Sequence, residues 1–325
     1  MERSGWIERA QVLLGTLVAI GVRGLDDAAA HAAITRAFTA VADVHRLMSF
    51  HDTASDVSRL NREAFAAPVR IDLRTAEVIA FALQLSADSD GAFDITVAPR
   101  LVAQGLLPVP EEAPAADERA TWRDIEFVAP DLVRFRRRAW IDLGGIAKGF
   151  AVDAAMACLT ADDDLTADAD ADADTSAAAA RPAAHALVQR RVNAGGDLRV
   201  SGPDAERVLL KVPGLAGDEL PMIEIADGSV ASSATTPALA RQRGAAEAGI
   251  EAIAASPSPH IDGRSGGAVA AGLFVSVIAE RCIVADALTK VVLALRDAAG
   301  PILVRHGATA HCHSLAGGWR VLGAG

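Results

Sequence analysis

Tyrosine is absent from this sequence of 325 residues, which has only nine phenylalanines and four tryptophans. Cysteine is scarce as well, because Cys158, Cys282 and Cys312 are the only ones and lie far apart in the chain. Three scattered cysteines exclude a disulfide framework and favour a reducing compartment or buried thiols. Alanine supplies much of the hydrophobic fraction of 51%, so this fraction overstates the core that the chain can bury.

The sequence also lacks an excess of basic residues. It has 42 acidic against 31 basic side chains and a formal net charge of -11, which argues against a nucleic-acid surface or an anionic membrane as partner. Its longest apolar run near the start, residues 12–22, is too short to span a bilayer. We therefore expect a cytoplasmic protein without a membrane span or lipoprotein attachment site, or a periplasmic one if translation starts further upstream.

The apolar patterns along the chain alternate between period 2 and period 3.6, which predicts an α/β protein. Between residues 161 and 184 the sequence has seven aspartates against one arginine, within a run of alanines. This segment predicts a disordered insertion, with an acidic metal-binding tract as the alternative. The predicted helices are 26–50, 75–89 and 282–295, and the predicted strands are 12–22, 125–128, 133–135, 187–192, 197–200, 208–212, 223–225, 274–278, 302–305 and 319–322.

Residues 141–153 read Ile-Asp-Leu-Gly-Gly-Ile-Ala-Lys-Gly-Phe-Ala-Val-Asp, which predicts a strand end, a glycine turn and a helix start. Gly144 and Gly145 allow the backbone to bend or to approach a ligand, and the amides at a helix start favour an anion. Lys148 adds a mobile positive charge. The run is either a phosphate-binding turn or a packing turn. It is not a P-loop, because Phe150 stands where that motif needs a hydroxyl.

Seven short motifs follow one another along the chain, and each is weak alone. They are 14–16 (Leu-Gly-Thr), 48–61 (Met-Ser through Ser-Arg-Leu-Asn), 91–99 (Gly-Ala-Phe-Asp-Ile-Thr-Val-Ala-Pro), 144–149 (Gly-Gly-Ile-Ala-Lys-Gly), 192–197 (Val-Asn-Ala-Gly-Gly-Asp), 262–266 (Asp-Gly-Arg-Ser-Gly) and 285–288 (Ala-Asp-Ala-Leu). On these residues the chain resembles the ApbE family, the FAD:protein FMN transferases, over nearly its whole length. The resemblance implies one flavin transferase domain over residues 8–325.

The resemblance also implies a fold and an activity. The fold would be a mixed α/β structure in which sheets are flanked by helices and FAD lies in a cleft with a magnesium ion at its pyrophosphate. The activity would transfer the FMN half of FAD to a threonine or serine hydroxyl of a target flavoprotein, with release of AMP. Phosphoryl transfer of this kind needs an aligned nucleophile, a base and positive charge on the phosphate oxygens.

By the resemblance, the magnesium ion would be held by the backbone oxygen of Ala147, the carboxylate of Asp286 and a hydroxyl one turn further along the same helix. The family usually has threonine four residues after this aspartate, whereas this chain has Lys290 there and Thr289 one position earlier. Positions three and four after Asp286 share its helix face, so Thr289 can reach the metal. Alternatively, the Lys290 ammonium replaces the metal, or it forms an ordinary helix pair with Asp286.

Further site residues follow from the same resemblance. His260 would take the proton of the target hydroxyl, beside Asp262, and Arg264 would stabilise phosphate charge. The chain departs from the family here, because His260 lies two rather than three residues before Asp262 and Gly263 replaces a proline. Since a shift of one residue turns a strand side chain to the other face, a surface loop histidine is the alternative. The implied flavin-binding residues are Met48, Ser49, Asp94, Gly144, Gly145, Lys148, Asp197, Ser232, Ser233 and Arg264.

Several alternatives stay open at the level of sequence. Asp94 and Asp197 are either flavin-binding residues or turn aspartates, and His311 and His313 share a strand face that suits zinc or a purely structural strand. The whole protein is a transferase, a flavin-binding scaffold that has lost transfer, or a hydrolase that splits FAD into FMN and AMP.

Overall fold

The computed structural model of the protein describes residues 5–170, 188–212, 215, 220–235, 258–314 and 317–323, with the backbone alone along 162–170. The helices are α1 (Asp27–Met48), α2 (Asp56–Glu63), α3 (Leu73–Asp88), α4 (Ala98–Ala103), α5 (Ala147–Asp170), α6 (Cys282–Leu295) and α7 (Gly300–Arg305). The strands are β1 (Ile7–Leu13), β2 (Thr16–Arg23), β3 (Val69–Arg70), β4 (Ile125–Ala129), β5 (Leu132–Phe135), β6 (Gln189–Ala194), β7 (Asp197–Ser201), β8 (Glu206–Leu209), β9 (Met222–Ile225), β10 (Gly228–Ala234), β11 (Ile261–Asp262), β12 (Gly267–Ala268), β13 (Leu273–Ala279), β14 (Thr309–Ser314) and β15 (Gly318–Leu322).

An eight-stranded sheet forms the framework, in the order β1-β2-β6-β7-β10-β13-β14-β15. Every strand pair in the described residues is antiparallel, including the small sheets β3-β5-β4, β8-β9 and β11-β12. The predicted α/β fold with sheets flanked by helices is confirmed.

Helices α1, α5 and α6 pack against this sheet and enclose the main core. The strands show the expected alternation, because in β7 Leu198 and Val200 belong to a second, smaller core while Asp197 and Arg199 point to the helices. One strand, β7, therefore sends charged side chains toward α5 and apolar side chains to the opposite face.

Two of the predicted elements need correction, and one strand of the main sheet was missed. Residues 12–22 are not one strand but parts of β1 and β2, joined at Leu14 and Gly15, which have φ of 55° and 69° and form a tight hairpin turn. Residues 302–305 are helical, because they belong to α7, which has a proline at its start. The sequence prediction also missed β10, where the run Gly-Ser-Val-Ala-Ser-Ser-Ala contains few β-favouring residues.

The predicted helices 26–50, 75–89 and 282–295 correspond to α1, α3 and α6, the last with identical bounds. Helix α5 runs to Asp170, into the acidic insertion predicted over 161–184, of which residues 171–184 lie outside the described part of the chain. No helix in the described residues is sufficiently long and apolar to cross a membrane.

Candidate functional site

The glycine turn before α5 is held by a side chain from a distant helix. The prediction of a strand end here is wrong, because Ile141 lies outside any strand. Asn61 of α2 substitutes for a neighbouring strand: its Oδ1 accepts from the Ile141 amide at 2.8 Å, and its Nδ2 donates to the Ile141 carbonyl at 3.1 Å. The Asp142 amide donates to the Ile95 carbonyl at 2.9 Å. These bonds fix the backbone that leads into Gly144 and Gly145.

Helix α5 then crosses α6 at very short range. A Cβ atom on Gly149 would lie 2.4 Å from the Cys282 carbonyl oxygen and 2.7 Å from Asp286 Cβ, so only glycine fits there. The Gly149 amide, near the start of α5, donates to Asp286 Oδ2 at 2.9 Å. An aspartate from one helix thus caps the first turn of the other, where the amides lack helical partners.

Two buried ion pairs flank this crossing. The Lys148 ammonium contacts Asp197 Oδ2 on β7, and the Lys290 ammonium contacts Asp286 Oδ1 one turn earlier in α6. Both aspartates are 1% exposed. Because each carboxylate lies beside a lysine, the four side chains form a cluster with no net charge.

The two aspartates titrate differently. Burial, together with the negative charge of Asp286, raises the pKa of Asp197 to about 6 despite the neighbouring Lys148. Burial also acts to raise the pKa of Asp286, but the charges of Lys290 and Lys148 outweigh it and hold that pKa below its ordinary value. Asp286 is therefore the more firmly ionised of the two.

A cavity of about 290 Å³ opens next to this cluster. Its polar wall contains Asp142, His260 and Lys290, and its floor is the Gly144–Gly145 turn. Its apolar wall is supplied by Phe93, Ile95, Val97, Leu101, Leu106 and Leu107. An apolar pocket with a few converging polar groups is the usual form of a small-molecule site.

Asp94 connects this cavity to a second one of about 310 Å³, because it lines both. Its carboxylate is fully engaged: Oδ1 accepts from the amide and hydroxyl of Thr96 at 2.8 and 2.7 Å, and Oδ2 accepts from the Trp122 amide at 3.3 Å. Burial raises the pKa of Asp94. In the structure, the Asp94 carboxylate holds the local backbone, and the residue contributes to the lining of both cavities.

The predicted catalytic loop docks against the Asp94 segment. Gly263 makes this possible, because a Cβ there would lie 2.4 Å from the Gly91 carbonyl oxygen and 2.6 Å from Asp94 Cβ. His260 lines the first cavity, while Arg264 lines the second. The Arg264 side chain forms a bidentate pair with Asp262 at 3.0 and 2.8 Å, which lowers the pKa of that carboxyl.

The remaining predicted flavin residues lie at different depths. Met48 is buried at the end of α1, where it belongs to the main core, and Ser49 follows as the residue that ends the helix. The Ser233 hydroxyl lies 2.8 Å from the Thr289 hydroxyl, and the Ser232 hydroxyl lies 2.6 Å from Ser276. These serines join β10 to its neighbours α6 and β13 and do not line either cavity.

The donor set implied for magnesium does not fit a metal in this arrangement. One carboxylate oxygen of Asp286 is paired with Lys290, and the other accepts from Gly149. The hydroxyl of Thr289 is fully buried, donates to the Asp286 carbonyl at 2.7 Å and contacts Ser233. No cluster of three or more His, Cys, Asp or Glu side chains in the described part of the chain suits a metal ion, so zinc at His311 and His313 gains no support either.

Two residues at the site were not predicted from the sequence. Asp142 lines the first cavity, and burial raises the pKa of its carboxyl, which accepts from the Gly144 and Leu143 amides. Asn61 fixes the turn from a distance of 80 residues in sequence. Asp142 directly precedes the glycine turn and could have been suspected on that ground, whereas no local pattern connects Asn61 to Ile141.

Comparison with known proteins agrees with these features. The model of the ApbE family matches residues 14–312, and the chain belongs to the ApbE family. The FAD:protein FMN transferase of Haemophilus influenzae is 33% identical over 124 residues, which cover 34% of this chain and 36% of that protein. The one from Treponema pallidum is 29% identical over 167 residues, covering 47% and 46%. The chain thus spans less than half the length of these relatives.

The fold is shared over almost the whole molecule. The crystal structure of the ApbE protein from Thermotoga maritima superimposes with a TM-score of 0.75, covering 97% of this chain and 96% of that one at 22% identity. Since identity is this low, the superposition shows the fold.

Proposed function

We propose that this protein is an FAD:protein FMN transferase, which moves FMN from FAD to a threonine or serine hydroxyl of a target flavoprotein. The observation that carries the proposal is the first cavity, where the Gly144–Gly145 turn, Asp94, His260 and Lys290 meet beside an apolar wall. The similar proteins of Haemophilus influenzae and Treponema pallidum are named FAD:protein FMN transferase. The family match over residues 14–312 includes all seven motifs.

The cavities suit the two chemical parts of a flavin nucleotide. The apolar wall around Phe93 and Leu101 offers a surface for a ring system, and the charged side chains gather at the glycine turn, where a phosphate would lie. The second cavity shares Asp94 and adds the Arg264 guanidinium and Arg100. A dinucleotide could therefore extend from one cavity to the other past Asp94.

The transfer needs few covalent steps. The hydroxyl oxygen of the target residue forms a bond to the phosphorus of the FMN half, the bond from that phosphorus to the AMP oxygen breaks, and AMP leaves with the bonding electrons. The hydroxyl proton passes to a base, for which His260 is the candidate because it lines the same cavity as Lys290. Lys148 and Asp197 stay paired behind the turn and support its position.

Magnesium stays a prediction from the resemblance, since the side chains of Asp286 and Thr289 that would hold it are already engaged with other groups of the protein. The role of Arg264 also stays a prediction. The Arg264 guanidinium is paired with Asp262 through two of its nitrogens. To contact a phosphate it would have to leave Asp262 or use the N–H donors that Asp262 does not occupy.

The direct test is to incubate the protein with FAD and an acceptor flavoprotein and to analyse the acceptor by mass spectrometry, with AMP measured in the same tubes. We expect a covalent FMN adduct and one AMP per adduct. The acceptor with its target hydroxyl replaced by alanine is the control and should gain no mass. AMP without an adduct would instead identify an FAD hydrolase, and bound flavin without AMP would identify a scaffold.

A further inference from the structure

Lysine is rare in this protein, and two of its three lysines lie at one place. Of 31 basic residues only Lys148, Lys211 and Lys290 are lysine, and the other 28 are arginine. In a chain that otherwise uses arginine, the compact ammonium group at Lys148 and Lys290 is a specific chemical choice. Lys148 lies in α5 and Lys290 in α6, and Lys290 also lines the first cavity.

The Lys290 ammonium is fixed in position from two sides. It contacts Asp286 Oδ1 and donates to the Asp286 carbonyl at 3.0 Å. Its side chain runs along the glycine turn, because a Cβ on Gly145 would lie 3.6 Å from Lys290 Cε. It is 18% exposed and lines the first cavity. The positive charge is therefore held between Asp286 and the turn where a phosphate is expected.

This ammonium retains binding capacity. An ammonium group has three N–H donors, and two of them are used by Asp286. The third has no partner among the described residues. A donor of this kind, held at a cavity wall, suits an anionic phosphate oxygen.

The same geometry disfavours a divalent cation. Asp286 already has an ammonium on one oxygen and an amide on the other, and the charge of a second ammonium, Lys148, also lowers the pKa of Asp286. A divalent ion at Asp286 would have to displace Lys290 and would then lie near a like charge. Two lysines and two aspartates are balanced without it.

We propose that Lys290 is the fixed cation of this site, which binds the pyrophosphate of FAD directly and makes flavin binding independent of a divalent metal. The proposal rests on the proposed function, because it assigns a residue for the substrate of that reaction. The proposal also explains why both oxygens of the Asp286 carboxylate already have partners. In this arrangement Asp286 positions the Lys290 ammonium and does not bind a metal ion.

The test compares FAD binding and metal binding in the wild-type protein. FAD affinity, followed by quenching of flavin fluorescence, should agree within about twofold between buffer with EDTA and buffer with magnesium. Titration with Mn²⁺, followed by electron paramagnetic resonance, should show no stoichiometric site. A tenfold or larger gain in FAD affinity on adding magnesium, or one tightly bound Mn²⁺ per chain, would overturn the proposal.

Two variants of Lys290 separate charge from shape. Lys290→Met keeps much of the side-chain volume and should lose FAD affinity about tenfold or more, with no recovery in magnesium. Lys290→Thr frees the Asp286 carboxylate and adds a hydroxyl, and oxygen donors are what magnesium prefers, so its FAD affinity should fall in EDTA and recover in magnesium. Lys211→Thr, on an exposed lysine outside the cavity, is the matched control and should bind FAD like the wild type.

The outcomes distinguish this inference from the proposed function. If FAD binding is metal-independent and lost in Lys290→Met, but no FMN reaches any acceptor, Lys290 stands as the phosphate ligand and the transferase assignment fails. If FMN reaches the acceptor but FAD affinity rises tenfold or more on adding magnesium, the transferase stands and the role of Lys290 fails. Should either variant fail to fold, the wild-type titrations alone decide.

Discussion

The two sides of the α5–α6 crossing have the same construction but different surroundings. On one side Asp153 of α5 accepts from the amides of Cys282 and Ile283 at the start of α6, both at 2.9 Å. On the other side Asp286 of α6 accepts from the amide of Gly149 at the start of α5. Each helix thus receives its N-terminal cap from an aspartate of the other, which ties both helix starts together.

The partners of these aspartates separate their roles. Asp153 pairs with Arg199 at 2.5 Å, and neither residue lines a cavity described above. Asp286 pairs with Lys290, which lines the first cavity. One side therefore ties the two helices together, and on the other side the cation also lines the first cavity, where we propose that the ligand binds. Changes on the first side should affect stability, and changes on the second should affect ligand binding.

The largest effect is expected from Gly149→Ala, which damages both sides at once. Its methyl group would overlap the Cys282 carbonyl, which is backbone and cannot rotate away, so α5 and α6 must separate. We expect the free energy of unfolding to fall by more than about 3 kcal/mol. Urea denaturation followed by circular dichroism measures it.

The control for this substitution is Gly300→Ala, since Gly300 has helical angles and a Cβ added there would meet nothing within 4 Å. It should be neutral or slightly stabilising. Equal stability of Gly149→Ala and Gly300→Ala would mean that the helices are not in the close contact described.

The next effect in size is expected from Asp153→Asn. The new amide can accept only one of the two α6 amides and it loses the charge opposite Arg199, so a buried donor is left unsatisfied. The cost should be about 2 to 3 kcal/mol in unfolding free energy. FAD affinity, measured below the unfolding transition, should stay within about twofold of the wild type.

Asp27→Asn is the matched control, because this exposed aspartate lies in the first turn of α1 and should change stability little. A tenfold loss of FAD affinity in Asp153→Asn with a small loss of stability would break the comparison, since the structural side would then act on the ligand.

The sequence predicts the parts of this crossing but not their connection. Helix α6 follows from its apolar spacing with the bounds it has in the structure, and the glycine turn is evident from its residues. Asp153 lies 129 residues from Cys282, however, and a cap across that distance leaves no local pattern. The same reason explains the wrong strand end at Ile141, where Asn61 supplies the partner. Asn61 and Asp153 each supply hydrogen bonds to a backbone segment that is distant in sequence. Such contacts form only in the folded protein, so a local sequence pattern does not predict them.

The cation of each pair offers a third comparison. Lys148→Met leaves Asp197 buried without its ion pair, and should cost about 2 kcal/mol at pH 8. Arg199→Met leaves Asp153 with two amides and with the Arg281 guanidinium at 3.9 Å, and should cost about 1 kcal/mol.

The pH dependence separates the two variants further. The pKa of Asp197 is about 6 in the folded protein and, without Lys148, should rise further. Because this folded pKa exceeds the unfolded value, stability is lost as pH rises through it and is regained on acidification. Lys148→Met should therefore recover stability between pH 8 and 5 more than Arg199→Met, as urea midpoints at both values will measure. If the urea midpoints of Lys148→Met and Arg199→Met change equally between pH 8 and 5, the raised pKa of Asp197 would be contradicted.

The smallest effect is expected at the cavity itself, from Asp142→Asn. Burial raises the pKa of Asp142, so its ionised form costs stability at neutral pH and the cost disappears as pH falls through that pKa. The amide oxygen can still accept from one of the Gly144 and Leu143 amides, and the gain should be below about 1 kcal/mol because the weakened hydrogen bonding offsets part of it. FAD affinity should rise in the same variant, because a negative charge that faces the same cavity as Lys290 is removed. Asp142→Asn would then improve both stability and FAD affinity. Asp153→Asn, on the other side of the crossing, is expected to lower stability only. A fall in FAD affinity would show instead that the Asp142 carboxylate binds the ligand.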